Sequence, residues 1–484
     1  MERIRTYIPN LDDVLKGGVP KYSINIIAGT PGTGKTILAQ QMIFNNAREG
    51  KKTIFMTTVS EPSVKVVRYQ KEFEFFDADE LGRSVIYADL GEVIRRDGTK
   101  GALDAMTQLM NEHSPDILVI DSFKALHDLS PSPVDFRKFL FEVAVKLSSS
   151  STTTFLLGEY TLTDEEEMPE FAVADSMMYM TYENGKRKLE IKKMRGTDFL
   201  AGKHSLKITN QGITVYPHIT PKIRSFEIPC EKGSVPRVLT GIPGLDAMLD
   251  GGFLKKRAVL VTGSAGTGKT MLGLQFLAEG ARSGESGIMV SLEENVDEIV
   301  ENATSYGLNI SDFINNGKLT AMHVVPVELC VDELIYNLKQ IIAEKKPKRI
   351  VIDGISNIER NLTSAEIRDI LYTLVDIFKE NEITSILTRE VSKVIGGAET
   401  SEHGTSFIVD TIISLRYVEI KSEMKKAVSI VKMRGSQHNR EICEYRITDK
   451  GILVELPFTA YSGVFSGAPS KSPQEAFVEA FKKK

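Results

Sequence analysis

The chain has 484 residues, too many for one ordinary hydrophobic core, and its 42% hydrophobic and 26% charged residues are typical of globular domains. Its 60 basic and 65 acidic side chains give a formal charge of -5, so the overall charge does not favour nucleic acid as a partner. Three widely spaced cysteines, Cys230, Cys330 and Cys443, argue against a disulfide framework or a zinc site and indicate a reducing, cytoplasmic setting.

The chain begins with a short helical pattern followed by a phosphate-loop motif. Residues 1–6 lead into no long apolar run, so we expect neither a signal peptide nor a membrane span. Residues 11–18 predict a short helix ended by glycine. A β-rich apolar run, residues 23–28, then precedes a G-x-x-x-x-G-K-T motif. Its residues are Gly29, Thr30, Pro31, Gly32, Thr33, Gly34, Lys35 and Thr36.

Such a motif between a strand and a helix predicts a site for ATP and Mg²⁺. Glycines let the backbone curl round a phosphate, and the helix that follows adds the positive end of its dipole. Lys35 is expected to reach the β and γ phosphates, and Thr36 to offer its hydroxyl to Mg²⁺. Asp121 closes the apolar run 117–121 and predicts a second group for the metal site.

Two further segments of this half are candidates for hydrolysis. Glu61 follows a predicted strand and is a candidate base or water-positioning group, although a surface turn is the simpler alternative. Lys193 and Arg195 lie in a Lys-Met-Arg-Gly segment that is either a solvated turn or a source of cations for a γ-phosphate. That phosphate would be bound by this chain or by a neighbouring subunit.

The whole pattern recurs nearly half the chain later, after a proline-bearing linker at about 217–236. A second apolar run at 258–262 and a second G-x-x-x-x-G-K-T motif open the copy. The residues of this motif are Gly263, Ser264, Ala265, Gly266, Thr267, Gly268, Lys269 and Thr270. We therefore expect two nucleotide-binding domains, residues 1–225 and 235–460, and a flexible tail, residues 461–484.

The second copy repeats the first with differences. Thr270 and Asp353 are its expected metal-site residues, and strands alternating with helical patterns such as 102–112 and 364–379 predict an α/β fold with mainly parallel sheets. A glutamate pair, Glu293 and Glu294, follows a strand where the first copy has Ser60-Glu61. The Lys-Met-Arg-Gly segment recurs with Lys432 and Arg434.

A hydroxyl distinguishes the second copy in one more place. Asp175 and Asp410 occupy matching positions, and four residues earlier the first copy has Phe171 and the second has Ser406. A serine hydroxyl can accept a phosphoryl group, whereas a phenyl ring cannot. The end of the tail, residues 474–484, has a helical pattern that would suit the docking of a regulatory protein.

The order of these features resembles the KaiC family of circadian-clock ATPases over roughly residues 1–460. The most specific stretches are 410–420 and 428–436, which a generic RecA-type recombinase would not share. The resemblance implies two tandem RecA-like P-loop NTPase domains and a homo-hexameric double ring with ATP bound between subunits. It also implies slow ATP hydrolysis in the first domain and serine/threonine autokinase activity in the second.

Residue by residue, the resemblance gives roles to the residues named above. Glu293 and Glu294 match the catalytic glutamates of the kinase domain, and Ser406 matches the phospho-accepting serine. Lys432 and Arg434 match cations that act on the neighbouring subunit, as Lys193 and Arg195 do in the first ring.

Three departures separate the chain from the clock proteins. The residue after Ser406 is Phe407, where the clock proteins have threonine, so two-site phosphorylation is not expected. The first domain has Ser60-Glu61 in place of a glutamate pair, and the tail shows no clear match.

Two other functions remain open on sequence grounds. A DNA-dependent recombinase ATPase would have a similar fold, but the duplicated domains and acidic balance argue against it. A signalling scaffold would bind ATP chiefly to hold the ring together, with little catalysis. DNA-stimulated hydrolysis would favour the first, and signalling that survives loss of the glutamates would favour the second.

Overall fold

The computed structural model describes residues 2–58, 63–161, 168–218, 236–325, 330–359, 362–391, 407–464 and 470–471. The chain divides into two compact units, Met1–His218 and Ile219–Lys484, which we call the first and second unit. The central part of the predicted linker, residues 219–235, lies outside the described residues. Among the described helices, none is both long and apolar enough to cross a membrane.

The first unit alternates strands and helices along most of its length. Its strands are β1 Arg3–Ile4, β2 Val19–Pro20, β3 Ile24–Gly29, β4 Thr53–Thr57, β5 Val85–Asp89, β6 Ile117–Asp121, β7 Thr153–Gly158, β8 Ser176–Glu183, β9 Lys186–Met194, β10 Lys203–Thr209 and β11 Gly212–Tyr216. Its helices are α1 Leu11–Val14, α2 Lys35–Arg48, α3 Ser63–Gln70, α4 Gly91–His113, α5 Phe123–Asp128, α6 Pro133–Ser148 and α7 Glu170–Val173, with a 3-10 helix at Ala78–Glu80.

The second unit repeats this order. Its strands are β12 Arg237–Val238, β13 Phe253–Leu254, β14 Ala258–Gly263, β15 Gly287–Ser291, β16 Leu319–His323, β17 Arg349–Asp353, β18 Thr384–Glu390, β19 Thr411–Ile420, β20 Glu423–Met433, β21 Cys443–Thr448, β22 Gly451–Pro457, β23 Tyr461–Ser462 and β24 Ser470–Lys471. Its helices are α8 Pro243–Met248, α9 Lys269–Arg282, α10 Val296–Ser305, α11 Ile310–Asn315, α12 Val331–Lys345, α13 Ser356–Glu359 and α14 Ser364–Glu380.

Each unit is built on a nine-stranded sheet. The strand orders are β11-β10-β9-β8-β3-β7-β6-β4-β5 and β16-β15-β17-β18-β14-β19-β20-β21-β22. Six strands of each sheet, β3 to β8 and β14 to β19, are parallel, and three antiparallel strands extend one side. The predicted α/β fold with mainly parallel sheets is therefore confirmed, and the helical patterns at 102–112 and 364–379 lie within α4 and α14.

Continuous apolar strands explain why both sheets are covered on two faces. Successive residues of a strand point to opposite faces, so Ile26 and Ile27 enter different hydrophobic cores, as do Leu260 and Val261. The loop-bearing strands β3 and β14 are completely buried near the centre of their sheets. The carboxyl ends of parallel strands meet at one edge, which is where ligands bind in such sheets.

The first part of the expected tail is placed in the structure. Tyr461–Ser462 pairs with Ser470–Lys471, and Val464, 4% exposed, packs with Val418 and Ile420 of β19. The remaining tail, including the helical pattern at 474–484, lies outside the described residues.

Candidate functional site

Both phosphate loops curl in the same way between a buried strand and a helix. Gly32 and Gly34 have φ angles of 77° and 104°, and Gly266 and Gly268 have 74° and 92°. Glycine adopts this left-handed region without the steric penalty of a Cβ. At Gly34 a Cβ would also lie 2.7 Å from Cδ1 of Ile208, so the loop backbone packs closely against β10.

The lysine and threonine that end the first loop both donate hydrogen bonds to oxygen atoms of their own unit. Lys35, 8% exposed, donates hydrogen bonds from Nζ to the carbonyl oxygens of Gly29 at 2.9 Å and Thr30 at 3.0 Å. Burial lowers the pKa of Lys35, and nearby carboxylates oppose this change. Thr36 donates from Oγ1 to Oδ2 of Asp121 at 2.7 Å. A hydroxyl beside a carboxylate supplies the hard oxygen atoms that Mg²⁺ prefers, so these residues fit the expected metal.

The second loop has the same contacts. Lys269 donates from Nζ to the carbonyl oxygen of Ser264 at 3.1 Å, and Thr270 donates from Oγ1 to Oδ2 of Asp353 at 2.8 Å. Asp353 is 1% exposed, and its other oxygen, Oδ1, accepts a hydrogen bond from Thr388. The predicted metal-site pair thus comes together in both units, with the second aspartate held on both oxygens.

The first loop opens onto a cavity of about 840 Å³, a size that suits a nucleotide. Loop residues and strand ends line it, among them Lys35, Thr36, Asp121 and Glu159. Arg187 of β9 also lines this cavity and donates from Nε to the carbonyl oxygen of Gly32 at 3.3 Å. The cavity lies at the carboxyl edge of the sheet, as the topology requires.

Glu293 and Glu294 leave the end of β15 in different directions. Glu293 packs against Gly354, which follows Asp353: a Cβ on Gly354 would lie 2.6 Å from Cγ of Glu293. Partial burial raises the pKa of Glu293, and the charge of Asp353 raises it further. Glu294 instead accepts a hydrogen bond from Nδ2 of Asn302 on α10 at 3.1 Å. Adjacent residues at a strand end have therefore separated, with Glu293 beside the metal-site aspartate and Glu294 beside a helix.

The cations of the first Lys-Met-Arg-Gly segment lie far from their own loop. The backbone N–H of Arg195 donates to the carbonyl of Asp175 at 2.8 Å, and that of Asp175 donates to Ile24 at 2.7 Å, the first residue of β3. The loop leaves from the other end of this strand, about 16 Å away at the rise of a β-strand. Lys193 donates from Nζ to the carbonyl of Phe171 at 3.1 Å, and burial lowers its pKa.

The second segment has the same placement. The backbone N–H of Arg434 donates to Asp410 at 2.9 Å, and that of Asp410 donates to Ala258 at 2.8 Å, the first residue of β14. Lys432 donates from Nζ to the carbonyl of Val409 at 2.9 Å, and burial lowers its pKa. Neither set of cations is brought to the phosphate loop of its own unit.

Two predicted site residues, Glu61 and Ser406, lie outside the described residues. For Ser406, the structure describes its counterpart in the first unit and the residue that follows it. Phe171, the counterpart of Ser406, is 8% exposed and packs its ring 4.8 Å from that of Tyr160, whereas Phe407 is 75% exposed. The first unit therefore uses this position for its hydrophobic core.

Sequence reasoning missed two carboxylates, Glu159 and Glu390. Glu159 follows β7 and Glu390 ends β18, the strands directly beside β3 and β14. The signal was present, because in both halves an apolar β-rich run of similar length ends in glutamate. It was overlooked because no phosphate-binding motif includes that position.

The comparisons with known proteins agree with the duplicated site. The family model described as "ATPase: KaiC" matches the chain twice, at residues 4–220 and 238–457. The chain belongs to the KaiC family of ATPases. With this match, the two α/β units are RecA-like ATPase domains in tandem.

Relatives that bear the family name align over nearly the whole chain. The "Circadian clock oscillator protein KaiC" of Picosynechococcus sp. is 30% identical over 97% of this chain and 93% of its own length. The protein of the same name from Rippkaea orientalis is 30% identical over 97% of this chain and 92% of its own. The "Circadian clock protein KaiC3" of Synechocystis sp. is 29% identical over 98% and 96%.

Proposed function

We propose that this KaiC-family ATPase binds Mg-ATP in both units, hydrolyses it in both, and acts in signalling or regulation. The observation that carries the proposal is the repeated hydrogen bond between loop threonine and strand-end aspartate, Thr36 with Asp121 and Thr270 with Asp353. A Mg²⁺ ion at such a pair neutralises phosphate charge when it is bound. The names of the relatives support a regulatory role.

The side chains of each loop would bind the triphosphate. Lys35 and Lys269 now donate to loop carbonyls, and phosphate oxygens would replace these acceptors. In the second unit we assign the role of proton acceptor to Glu293, and its contact with Gly354, next to Asp353, and its raised pKa support this assignment. For the first unit we retain Glu61 as a candidate on sequence grounds.

We further propose that the chain assembles as a homo-hexamer in which each site is completed by its neighbour. Lys193 with Arg195 and Lys432 with Arg434 would then contact the γ-phosphate held by the next subunit. Their position at the opposite end of the sheet from their own loop supports this arrangement. Such head-to-tail contacts close into rings.

Serine autophosphorylation in the second unit is the finer part of the proposal. It rests on the family resemblance and on Ser406, since a γ-phosphoryl group transferred to its hydroxyl would give phosphoserine and ADP. The carbonyl of Val409, three residues later, already accepts a hydrogen bond from Lys432. With Phe407 next in sequence, one acceptor is expected at this place.

Two measurements test the proposal on the full-length chain. ATP hydrolysis should fall in part in Lys35→Ala and in Lys269→Ala, with the two losses adding up to the parental rate, and should disappear in the double variant. Intact mass after incubation with Mg-ATP should show one added phosphate that Ser406→Ala lacks. Unchanged hydrolysis in the double variant would refute the ATPase sites, and equal phosphate on both proteins would refute Ser406.

A further inference from the structure

Glu159 and Glu390 occupy one position in the two units. In the pair β3–β7 the last registered partners are Ala28 and Gly158, so Glu159 comes beside the first residue of the phosphate loop. In the pair β14–β18, Glu390 lies directly beside Gly263, the first residue of the second loop. A carboxylate therefore enters each site from the strand next to the loop-bearing strand.

In each unit a side chain that follows the metal-site aspartate contacts the backbone of this glutamate, as a donor in the first unit and as an acceptor in the second. Lys124 donates from Nζ to the carbonyl oxygen of Glu159 at 2.8 Å, and Glu390 donates its backbone N–H to Oγ of Ser356 at 2.9 Å. Lys124 and Ser356 both lie three residues after the metal-site aspartate. These hydrogen bonds hold the backbone of each glutamate near the metal-site aspartate, which helps to position a catalytic group.

The geometry of the two sites places both carboxylates among the groups of the site. Glu159 lines the first cavity together with Lys35 and Asp121. Glu390 has the equivalent position beside Gly263, the first residue of the second loop. Both glutamate side chains are exposed, so each is open to a ligand at the loop.

The two copies differ in sequence directly after a pair of equivalent residues. Thr58 and Leu292 are equivalent, because each donates its backbone N–H at 3.0 Å to the carbonyl of the metal-site aspartate. This equivalence matches Glu293-Glu294 with Val59-Ser60 in sequence, one residue away from the Ser60-Glu61 match expected above. The residue after Thr58 or Leu292 is therefore acidic in only one of the two sequences, whereas the position of Glu159 and Glu390 is acidic in both.

We propose that Glu159 and Glu390 are catalytic residues that orient the attacking water during ATP hydrolysis; this rests on the proposed ATPase function. In the first unit Glu159 also accepts the water proton, whereas in the second unit Glu390 accepts a hydrogen bond from the water and Glu293 accepts the proton. A carboxylate repels a γ-phosphate directly, but a water between them donates a proton to the carboxylate while its lone pair faces phosphorus. The water oxygen bonds to the γ-phosphorus as the bond to the β–γ bridging oxygen breaks. The water proton passes to Glu159 in the first unit or to Glu293 in the second, and then to solvent, leaving ADP and phosphate.

The test isolates each unit in the full-length chain. In a Lys269→Ala parent, which leaves the first site, Glu159→Gln should lower kcat at least about tenfold. The KM for ATP and the affinity for ADP should change less than about twofold, since glutamine keeps the shape but not the basicity. Glu390→Gln in a Lys35→Ala parent should behave in the same way. Glu142→Gln, a matched loss of charge on the exposed surface of α6, should leave kcat unchanged.

The outcomes separate this inference from the proposed function. A parent that hydrolyses ATP while Glu159→Gln and Glu390→Gln match it in kcat overturns the inference alone. A loss of ADP affinity equal to the loss of kcat also overturns it, because the glutamate would then be structural. Parents that bind ATP but never hydrolyse it overturn the ATPase function together with this inference.

Discussion

Thr388 donates a hydrogen bond from Oγ1 to Oδ1 of Asp353, whereas the matching residue of the first unit is Leu157, whose side chain has no donor. The same threonine hydroxyl accepts the backbone N–H of Gly354 at 2.8 Å. Thr270 already engages the other carboxylate oxygen of Asp353. Both carboxylate oxygens of Asp353 therefore accept a hydrogen bond from a threonine hydroxyl, and the two copies differ in sequence at one of these threonines.

Replacing Thr388 should weaken metal use in the second unit. In the Lys35→Ala parent, Thr388→Val should raise the Mg²⁺ concentration for half-maximal hydrolysis about tenfold, because groups that orient a metal ligand are worth that much. Thr388→Ser keeps the hydroxyl and should retain the parental value. In the Lys269→Ala parent, Leu157→Val changes the same position without a hydroxyl and should have no effect. An unchanged Mg²⁺ requirement in Thr388→Val would contradict the role assigned to this bond.

The separation of the glutamate pair predicts unequal effects of their substitution. In the Lys35→Ala parent, Glu293→Gln should lower kcat about 100-fold, in the range for loss of a general base. Glu294→Gln should remain within about threefold, because its carboxylate contacts Asn302 and not the loop. Steady-state hydrolysis measures both, and equal losses would refute the assignment.

The raised pKa of Glu293 predicts the acid side of the rate profile. A base must be ionised, so hydrolysis by the second unit should fall as pH decreases through the pKa of Glu293. An ordinary glutamate has a pKa of about 4.3. Since burial raises the pKa of Glu293, the rate should begin to fall at a higher pH than it would with an ordinary glutamate as the base. A pH–rate profile in the Lys35→Ala parent measures it. Glu293→Gln should lack this limb, and a limb that persists unchanged would assign it to another group.

Two phenylalanines at neighbouring positions of the repeat should differ in their contribution to stability. Phe171 is buried against Tyr160, so Phe171→Ala should lower the free energy of unfolding by about 3 kcal/mol. Phe407 is exposed, and Phe407→Ala should change it by less than about 0.5 kcal/mol. Urea denaturation of the full chain compares them, and similar losses would argue against the burial of Phe171.

Mixed assemblies should reveal whether cations act between subunits. Two variants are made in a Lys35→Ala parent. Lys269→Ala lacks the second loop's lysine, and the double change Lys432→Ala, Arg434→Ala lacks the cations. Neither variant should hydrolyse ATP well by itself. An equal mixture of the two variants, reassembled with nucleotide, should recover about a quarter of parental activity. In a random ring about half of the loops are intact, and about half of these have a neighbour with intact cations. No recovery, in rings shown by mass to be mixed, would place the cations in their own subunit's site.

The sequence predicted those features that depend on local pattern. Apolar runs ending in Asp121 and Asp353 identified β6 and β17, and the glycine-rich motif identified both loops. The sequence also predicts that Thr36 and Asp121 belong to the same metal site. Periodicity predicted the helices within α4 and α14, since their apolar faces repeat at helical spacing.

The remaining features depend on which strands become neighbours. Glu159 lies at the phosphate loop because β7 is inserted between β3 and β6 in the sheet, and no local sequence pattern gives that strand order. The unequal roles of Glu293 and Glu294 follow from the turn after β15 and from the position of Asn302. The distance of Arg195 from its loop follows from the antiparallel pairing of β8 and β9.

One hairpin of the second unit links three distant places. At the turn end of the hairpin, Ile420 packs on Val464 at the start of the tail. Further along the same strand, Tyr417 donates from its hydroxyl to the carbonyl of Gly266 at 2.8 Å. Lys432 and Arg434 lie at the opposite end of the hairpin. Because side chains alternate between faces, a slip of one residue between β19 and β20 would reverse every contact of the slipped strand. The hairpin that contacts the tail at Val464 therefore also contacts the phosphate loop at Gly266 and carries Lys432.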